Sequence, residues 1–325
     1  MADTENEARP RATWRKLGRD ACWVSILLLA LVELAAIQLV RLTVAPPEDW
    51  QRAAAFVREN HRVQDAISAA PEWADPTLRL VLGDLISLGD AGRSDLAAFE
   101  RLWALSIRGK RPAEAPAQRP DLVRTFGRVR VSRWDLGPSP VLYDLVEKVR
   151  SAEVSLLKGG REQACPFRRG SAGGGGGLGK GVVAPADRFV CDARDRWLFV
   201  APVVLEDLEL RPRRCVWQHP RGPDPVRIRF NNVPLGQQLV LYGGLYYEHE
   251  RRLQGAPVTA EVFVRGRSAG RMVHRDGEGW KRIVIPLHAV GSRGEVRIEV
   301  STPRPARRGF CWAATVRGPE ERQRP

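Results

Sequence analysis

Apolar positions along this chain fall into distinct patterns, each predicting a different kind of element. The run from Ala21 to Val40, ACWVSILLLALVELAAIQLV, is twenty residues broken only by Ser25, Glu33 and Gln38. Roughly 20 helical residues cross a hydrocarbon core of about 30 Å, so this run predicts a membrane-spanning helix. After Pro46-Pro47, the spacing of Trp50, Ala53, Ala54, Phe56 and Val57 predicts an amphipathic helix. The stretch from Gln64 to Ala70 reads as a continuation of that helix or as a short strand ending before Pro71. Ser94 reads as the N-cap of a helix carrying Leu96, Phe99, Leu102, Trp103 and Leu105. Val129 and Val131 alternate with Arg128, Arg130 and Ser132 as in a strand, whereas Leu142, Leu145, Val146 and Val149 have helical spacing.

A Pro- and Ala-rich segment from Lys110 to Pro120 predicts a surface loop, and 159–181 turns to Gly, Arg and Ser, with five consecutive glycines at 173–177. Glycine has no side chain to bury and loses much entropy on ordering, so the second segment predicts a flexible loop. An aromatic-rich stretch, Phe189 to Trp217, follows. Short alternating segments then recur: Val226–Phe230, Gln238–Tyr242, Val258–Val264, Arg271–His274, Trp280–Ile285, Val296–Val300 and Phe310–Val316. Separated by Gly, Pro, Asn and Asp, they predict an antiparallel β-sandwich. The expected class is α+β. The expected division is a tail at 1–20, a transmembrane helix at 21–40, a juxtamembrane α/β domain at 46–158, a Gly-rich loop at 159–187 and the sandwich at 188–325.

Charge changes the picture less than its size implies. The net charge is +14, from 52 Lys and Arg against 38 Asp and Glu, which is a nucleic-acid binder's balance. Only six of those cations are Lys, and they are spread along the chain, as a GC-rich bacterial coding sequence produces; an anionic surface partner is the alternative reading. Arg9, Arg11, Arg15, Lys16 and Arg19 precede the apolar run and only Arg41, Arg52 and Arg58 closely follow it, which puts the N-terminus in the cytoplasm. The expected location is therefore the bacterial inner membrane, crossed once, with the bulk of the chain periplasmic or extracellular and no nucleic acid among its partners. A cleaved signal peptide is the rival, but its cleavage sites are poor, with Pro46 after Thr43-Val44-Ala45 and Leu34 before Ala36. Glu33 would cost about 2.5–3.5 kcal/mol as an ion within the span, so it is a candidate contact to a membrane partner.

Cys22 lies at the start of the span, which leaves Cys165, Cys191, Cys215 and Cys311 outside. An even number in an oxidising compartment, without a CxxC pair, favours two disulfides over a metal site. Of three possible connectivities, Cys165–Cys191 and Cys215–Cys311 are the expected pairs.

Other chemistry-bearing motifs fail in context. GGGGLGKG at 174–181 places Lys180 as in a phosphate loop, but Gly181 replaces the metal-binding hydroxyl and Pro185 breaks the following helix, so no nucleotide is expected. Gly266-Arg267-Ser268-Ala269-Gly270 matches a nucleophile elbow but has strand-like sequence on both sides, as in a hairpin. His249-Glu250-Arg251-Arg252-Leu253 lacks the second His of a zinc helix. No catalytic residue, metal or cofactor is assigned. Tyr246, Tyr247, His249 and Trp280 are selected as ligand contacts, because aromatic faces stack on sugar rings while polar neighbours orient them.

Val262-Phe263-Val264-Arg265-Gly266, Gly279 to Leu287, Ala289-Val290-Gly291 and Val296 to Val300 together resemble galactose-binding-like (jelly-roll) sandwiches, over about a third of the chain. That resemblance implies the sandwich fold and a glycan as ligand. Asp65 to Trp73, after a juxtamembrane helix, resembles the exported tail of membrane glycosyltransferases that use lipid-carrier sugars; those enzymes have many spans and this chain has one. The resulting expectation is an anchored, noncatalytic accessory or recognition module for envelope glycans or a glycan-assembly complex. A glycan-processing enzyme using Glu248 and Asp276, and a purely structural scaffold, are the alternatives.

Overall fold

The computed structural model describes residues 11–170, 183–288 and 290–319, with side chains from residue 23 onward, apart from 42 and 43. The glycines at 173–177 and Lys180 lie outside the described residues, as do the first ten residues and the Cys22 side chain. Helix α1 (Arg11–Thr43) contains one window, Trp23–Arg41, long and apolar enough to cross a membrane. None of that window is buried against the rest of the protein.

A small α/β unit follows, built from α2 (Pro47–Asn60), β1 (Asp65–Ala70), α3 (Asp75–Leu82), α4 (Leu88–Ala91), β2 (Arg101–Ser106), β3 (Leu122–Phe126) and β4 (Val129–Asp135). Its strands run in the order β1-β2-β4-β3, with β1 parallel to β2 and the others antiparallel. Of the two readings of 64–70, the strand is the one present. The helix expected after Ser94 is not there: its apolar residues lie partly in an irregular segment and partly in β2. Every residue of β2 is buried, because Trp103 and Leu105 face α2 and α3 while Leu102 and Ala104 pack with Phe99 and Trp134 on the opposite face. A central strand covered on both faces reads as a continuous apolar run, which periodicity does not distinguish from a buried helix.

The sandwich comprises β5 (Val141–Asp144), α5 (Leu145–Lys148), β6 (Glu153–Lys158), β7 (Arg161–Ala164), β8 (Phe167–Arg168), β9 (Arg188–Val190), β10 (Phe199–Glu206), β11 (Pro212–Gln218), β12 (Val226–Pro234), β13 (Gln238–Leu245), α6 (Tyr247–Glu250), β14 (Val258–Val264), β15 (Arg267–His274), β16 (Lys281–Pro286), β17 (Arg293–Ser301) and β18 (Phe310–Arg317). One sheet has the order β16-β13-β18-β11-β10-β9-β8, with β5 also paired to β18; the other has β15-β14-β17-β12-β6-β7. All seven segments expected as strands between 226 and 316 are strands. Strands β5, β6 and β7, from the region expected in the juxtamembrane unit, pair with sandwich strands. The helical spacing at 142–149 resolves into β5 followed by the single turn of α5.

Alternation explains the layers. In β12, Val226, Ile228 and Phe230 point into the core between the sheets, where they meet Ile298, Trp312 and Val316. Arg227 and Arg229 point outward and pair with Glu299 at 2.7 Å and Glu153 at 3.2 Å, part of an Arg–Glu ladder across the six-stranded sheet. Part of the basic charge is thus placed opposite carboxylates on the outer face of this sheet. Both expected disulfides, Cys165–Cys191 and Cys215–Cys311, are bonded, as suits an oxidising compartment.

Candidate functional site

The segment after α4 lies across the outer face of the β13/β18/β11 sheet. Arg214 donates its backbone N–H to the Gly92 carbonyl at 2.7 Å. A Cβ on Gly92 would lie 2.6 Å from that nitrogen, so only glycine permits this approach. Three residues later Asp95 meets the sandwich, accepting from the Tyr242 hydroxyl at 2.7 Å and from Arg317 Nη2 at 2.5 Å. Between them, Ser94 Oγ accepts from Trp280 Nε1 at 3.2 Å. Burial alone would raise the Asp95 carboxyl, but the Arg317 charge and the hydrogen bonds from Tyr242, Arg317 and the Ala97 N–H hold it below the usual range. Burial and the Asp95 charge push the Tyr242 hydroxyl up to about 12, so it stays a donor.

Beside this contact is a cleft of about 590 Å³ between the two units. Asp90, Asp144, Glu147, Arg93, Arg214 and Thr315 are among its lining residues. Arg214 reaches Asp144 at 3.5 Å and also pairs closely with Glu147; the Asp144 side chain caps α5 by accepting from the Val146 and Glu147 N–H groups. The walls therefore hold both carboxylate acceptors and guanidinium donors, partly paired with one another. A sugar hydroxyl both donates and accepts, so such a wall satisfies it from both sides. The volume falls within the roughly 300–1,000 Å³ of small-ligand sites. Among the described residues no group of three or more His, Cys, Asp or Glu is placed to hold a metal ion.

Three of the residues selected from sequence gather elsewhere on the same sheet face. Tyr246 is buried at 3% exposure, with the Tyr247 ring 4.8 Å and the His249 ring 5.5 Å from its own. Tyr247 is half-buried and its hydroxyl reaches Glu248 at 3.2 Å. His249 Nδ1 accepts from the Gly309 N–H at 3.2 Å; burial, with the nearby His219 and arginines, pushes its pKa down to about 4. Trp280 packs on the edge of this aromatic cluster, and its indole N–H reaches the Ser94 hydroxyl at the cleft. Glu33 is exposed within the apolar window of α1. Asp276 is held by Arg308 at 2.5 Å and the Gly255 N–H at 2.7 Å, in contacts that fix the chain. Ser268 belongs to the β14–β15 hairpin and donates to Glu261 at 2.6 Å. Glu250 is buried against His274 at 3.1 Å.

Sequence reading missed Asp95, Asp144, Glu147, Arg214, Tyr242 and Arg317. A partial signal existed. Trp312, Ala314 and Val316 face the core, so Ala313, Thr315 and Arg317 must face outward, beside Tyr242, whose register partner is Ala313. What brings Asp95 over them is tertiary packing.

No family model matches the chain, and no curated protein matches it. Among solved structures, the CBM51-2 and INT domains of Clostridium perfringens ZmpB, in complex with GlcNAc, align at 17% identity over 36% of this chain and 25% of that one, with a TM-score of 0.29. The CBM51 of Clostridium perfringens GH95, in complex with methyl-galactose, aligns at 10% identity over 35% of this chain and 80% of that one, TM-score 0.28. A family 35 carbohydrate-binding module from Clostridium thermocellum aligns at 12% identity over 32% and 78%, TM-score 0.24. Each is a likeness involving about a third of this chain, and none carries a ligand over to it. The glycosyltransferase-tail resemblance of 65–73 gains no support from these matches.

Proposed function

We propose that this is a membrane-anchored, extracytoplasmic recognition protein whose interdomain cleft binds a polar segment of an envelope glycan. The observation that carries the reading is the placing of carboxylates (Asp90, Asp144, Glu147) and guanidinium groups (Arg93, Arg214) together on the walls of a cleft of about 590 Å³. Trp280 supports that wall through Ser94, and Tyr247 and His249, beyond the cleft on the same sheet face, form a second aromatic contact over buried Tyr246. The anchored unit extends from about residue 46 to the turn before β5, and the sandwich begins with β5. Glu33 is the contact of α1 to a membrane partner, such as a glycan-assembly protein; unchanged co-purification after Glu33→Leu would remove that role.

The test is a glycan array and calorimetry on the full chain in nanodiscs. Arg214→Met keeps the packed stem and removes the donors; losing a charge-assisted hydrogen bond of about 1.5–3 kcal/mol weakens binding roughly 10- to 100-fold. Tyr247→Ala gives a smaller loss, at the aromatic contact beyond the cleft. Unchanged affinity in the folded Arg214→Met variant would refute the cleft, and capture of envelope proteins without any glycan binding would favour a scaffold.

A further inference from the structure

A second concavity lies at the foot of α1. It has a volume of about 310 Å³ and is lined by Val44, Ala45 and Trp50, by Trp73 and Leu80, and by Arg108. The inward side of α3 is ordinary, with Leu78 and Leu82 fully buried. Its outward side is not: Leu80 is 84% exposed, and Trp73, in the short 3-10 turn Glu72–Ala74 just before α3, is 62% exposed and lines the same groove. An exposed Trp beside an exposed Leu at a groove mouth is costly in water and marks a surface made for contact.

The groove's position is set by the span. Val44 follows the apolar window Trp23–Arg41 by three residues and is part of the groove wall. Arg128 fastens this exit by donating to the Val44 carbonyl at 2.8 Å and the Arg41 carbonyl at 3.4 Å. The unit cannot swing away from its anchor without breaking those bonds. The Arg108 guanidinium stands 5.4 Å from the centre of the Trp73 ring, and Lys110 follows on the same exposed turn. Indole rings at the level of the headgroups, with guanidinium and ammonium groups beside them, suit the boundary between hydrocarbon and lipid phosphate.

We infer that the face formed by Trp73, Leu80, Arg108 and Lys110 is a lipid-binding foot that seats the small unit on the outer surface of the bilayer α1 crosses. Trp73 and Leu80 enter the acyl boundary and the two cations meet lipid phosphates. The inference rests on α1 remaining in the membrane.

The test uses the full chain with Cys22→Ser, reconstituted in vesicles of phosphatidylcholine and phosphatidylglycerol. An environment-sensitive fluorophore is placed at Leu80→Cys or, as a control on the distal hairpin, at Arg267→Cys. Lipids carrying a quencher near the headgroup should quench the label at 80 at least about twofold more than the label at 267, as expected for a residue a few ångströms into the interface. Adding Arg108→Ala and Lys110→Ala should reduce that difference, most clearly in vesicles rich in the anionic lipid. Equal quenching at both positions, in protein that resists carbonate extraction, overturns the inference while leaving the anchor intact. Release by carbonate refutes the anchor and the foot together. Protection of position 80 only in native membranes, and not in protein-free lipid, would assign the groove to a protein partner and also overturn it.

Discussion

Asp95→Asn is the most direct test of how the cleft is held together. The Arg317 side chain is only 5% exposed and that of Asp95 30%. Asn keeps the shape and still accepts from Tyr242, but it removes the charge facing a buried guanidinium. Breaking a fully buried pair costs about 3–5 kcal/mol; with the carboxylate nearly one-third exposed, solvent screening lowers the expected loss to roughly 2–3 kcal/mol. Because the folded Asp95 carboxyl lies below its unfolded value, its contribution is complete above about pH 4 and is lost as pH falls through the folded pKa. The stability gap between wild type and variant should therefore be constant near neutrality and close in acid. Urea titrations of the full chain in nanodiscs, followed by tryptophan fluorescence, would measure it. Adding Arg317→Met should recover part of the loss, since the orphaned cation is then gone. A gap below about 0.5 kcal/mol near pH 7, or strictly additive losses in the double variant, would refute the reasoning.

Cys215→Ser with Cys311→Ser opens a bond spanning 96 residues, and Cys165→Ser with Cys191→Ser one spanning 26. Loop entropy alone then predicts losses of about 4.7 and 3.5 kcal/mol, so the first pair should lower the melting temperature more, and reductant should lower it in wild type. His219 is held neutral by burial, its pKa pushed down to about 4. Its unfolded pKa of about 6.5 is higher, so stability should fall as pH drops from about 6.5 towards 4, by on the order of 3 kcal/mol. His219→Phe should flatten that slope, and an unchanged slope would show that other groups govern it.

The sandwich was legible from sequence because its strands alternate: Val226-Arg227-Ile228-Arg229-Phe230 states which side faces the core. Strand β2 was not, because Leu102 to Leu105 are apolar on both faces and carry no period. That Cys165, Cys191, Cys215 and Cys311 form two disulfides is readable from their even number; which of them pair is not. The cleft was illegible for a different reason. Asp95, Tyr242 and Arg317 are 222 positions apart at the extremes, and no local pattern tells a surface Asp from one that will be pressed against another unit's Arg. Tyr246, Tyr247 and His249 stand out in the sequence because they are clustered, but nothing in that spacing shows that Tyr246 is only 3% exposed.

Strand β18 is the latest in chain order among the described strands, yet it is interior to its sheet: β13 lies along one edge, and β11 and β5 share the other. In a chain made amino end first, the slot between β13 and β11 stays vacant until β18 itself is available. Half the sheet would wait with open backbone groups, and the thiol of Cys215 would wait for Cys311. A chain cut before β18 would lack the strand that joins β13 to β11 and would leave Cys215 without its partner.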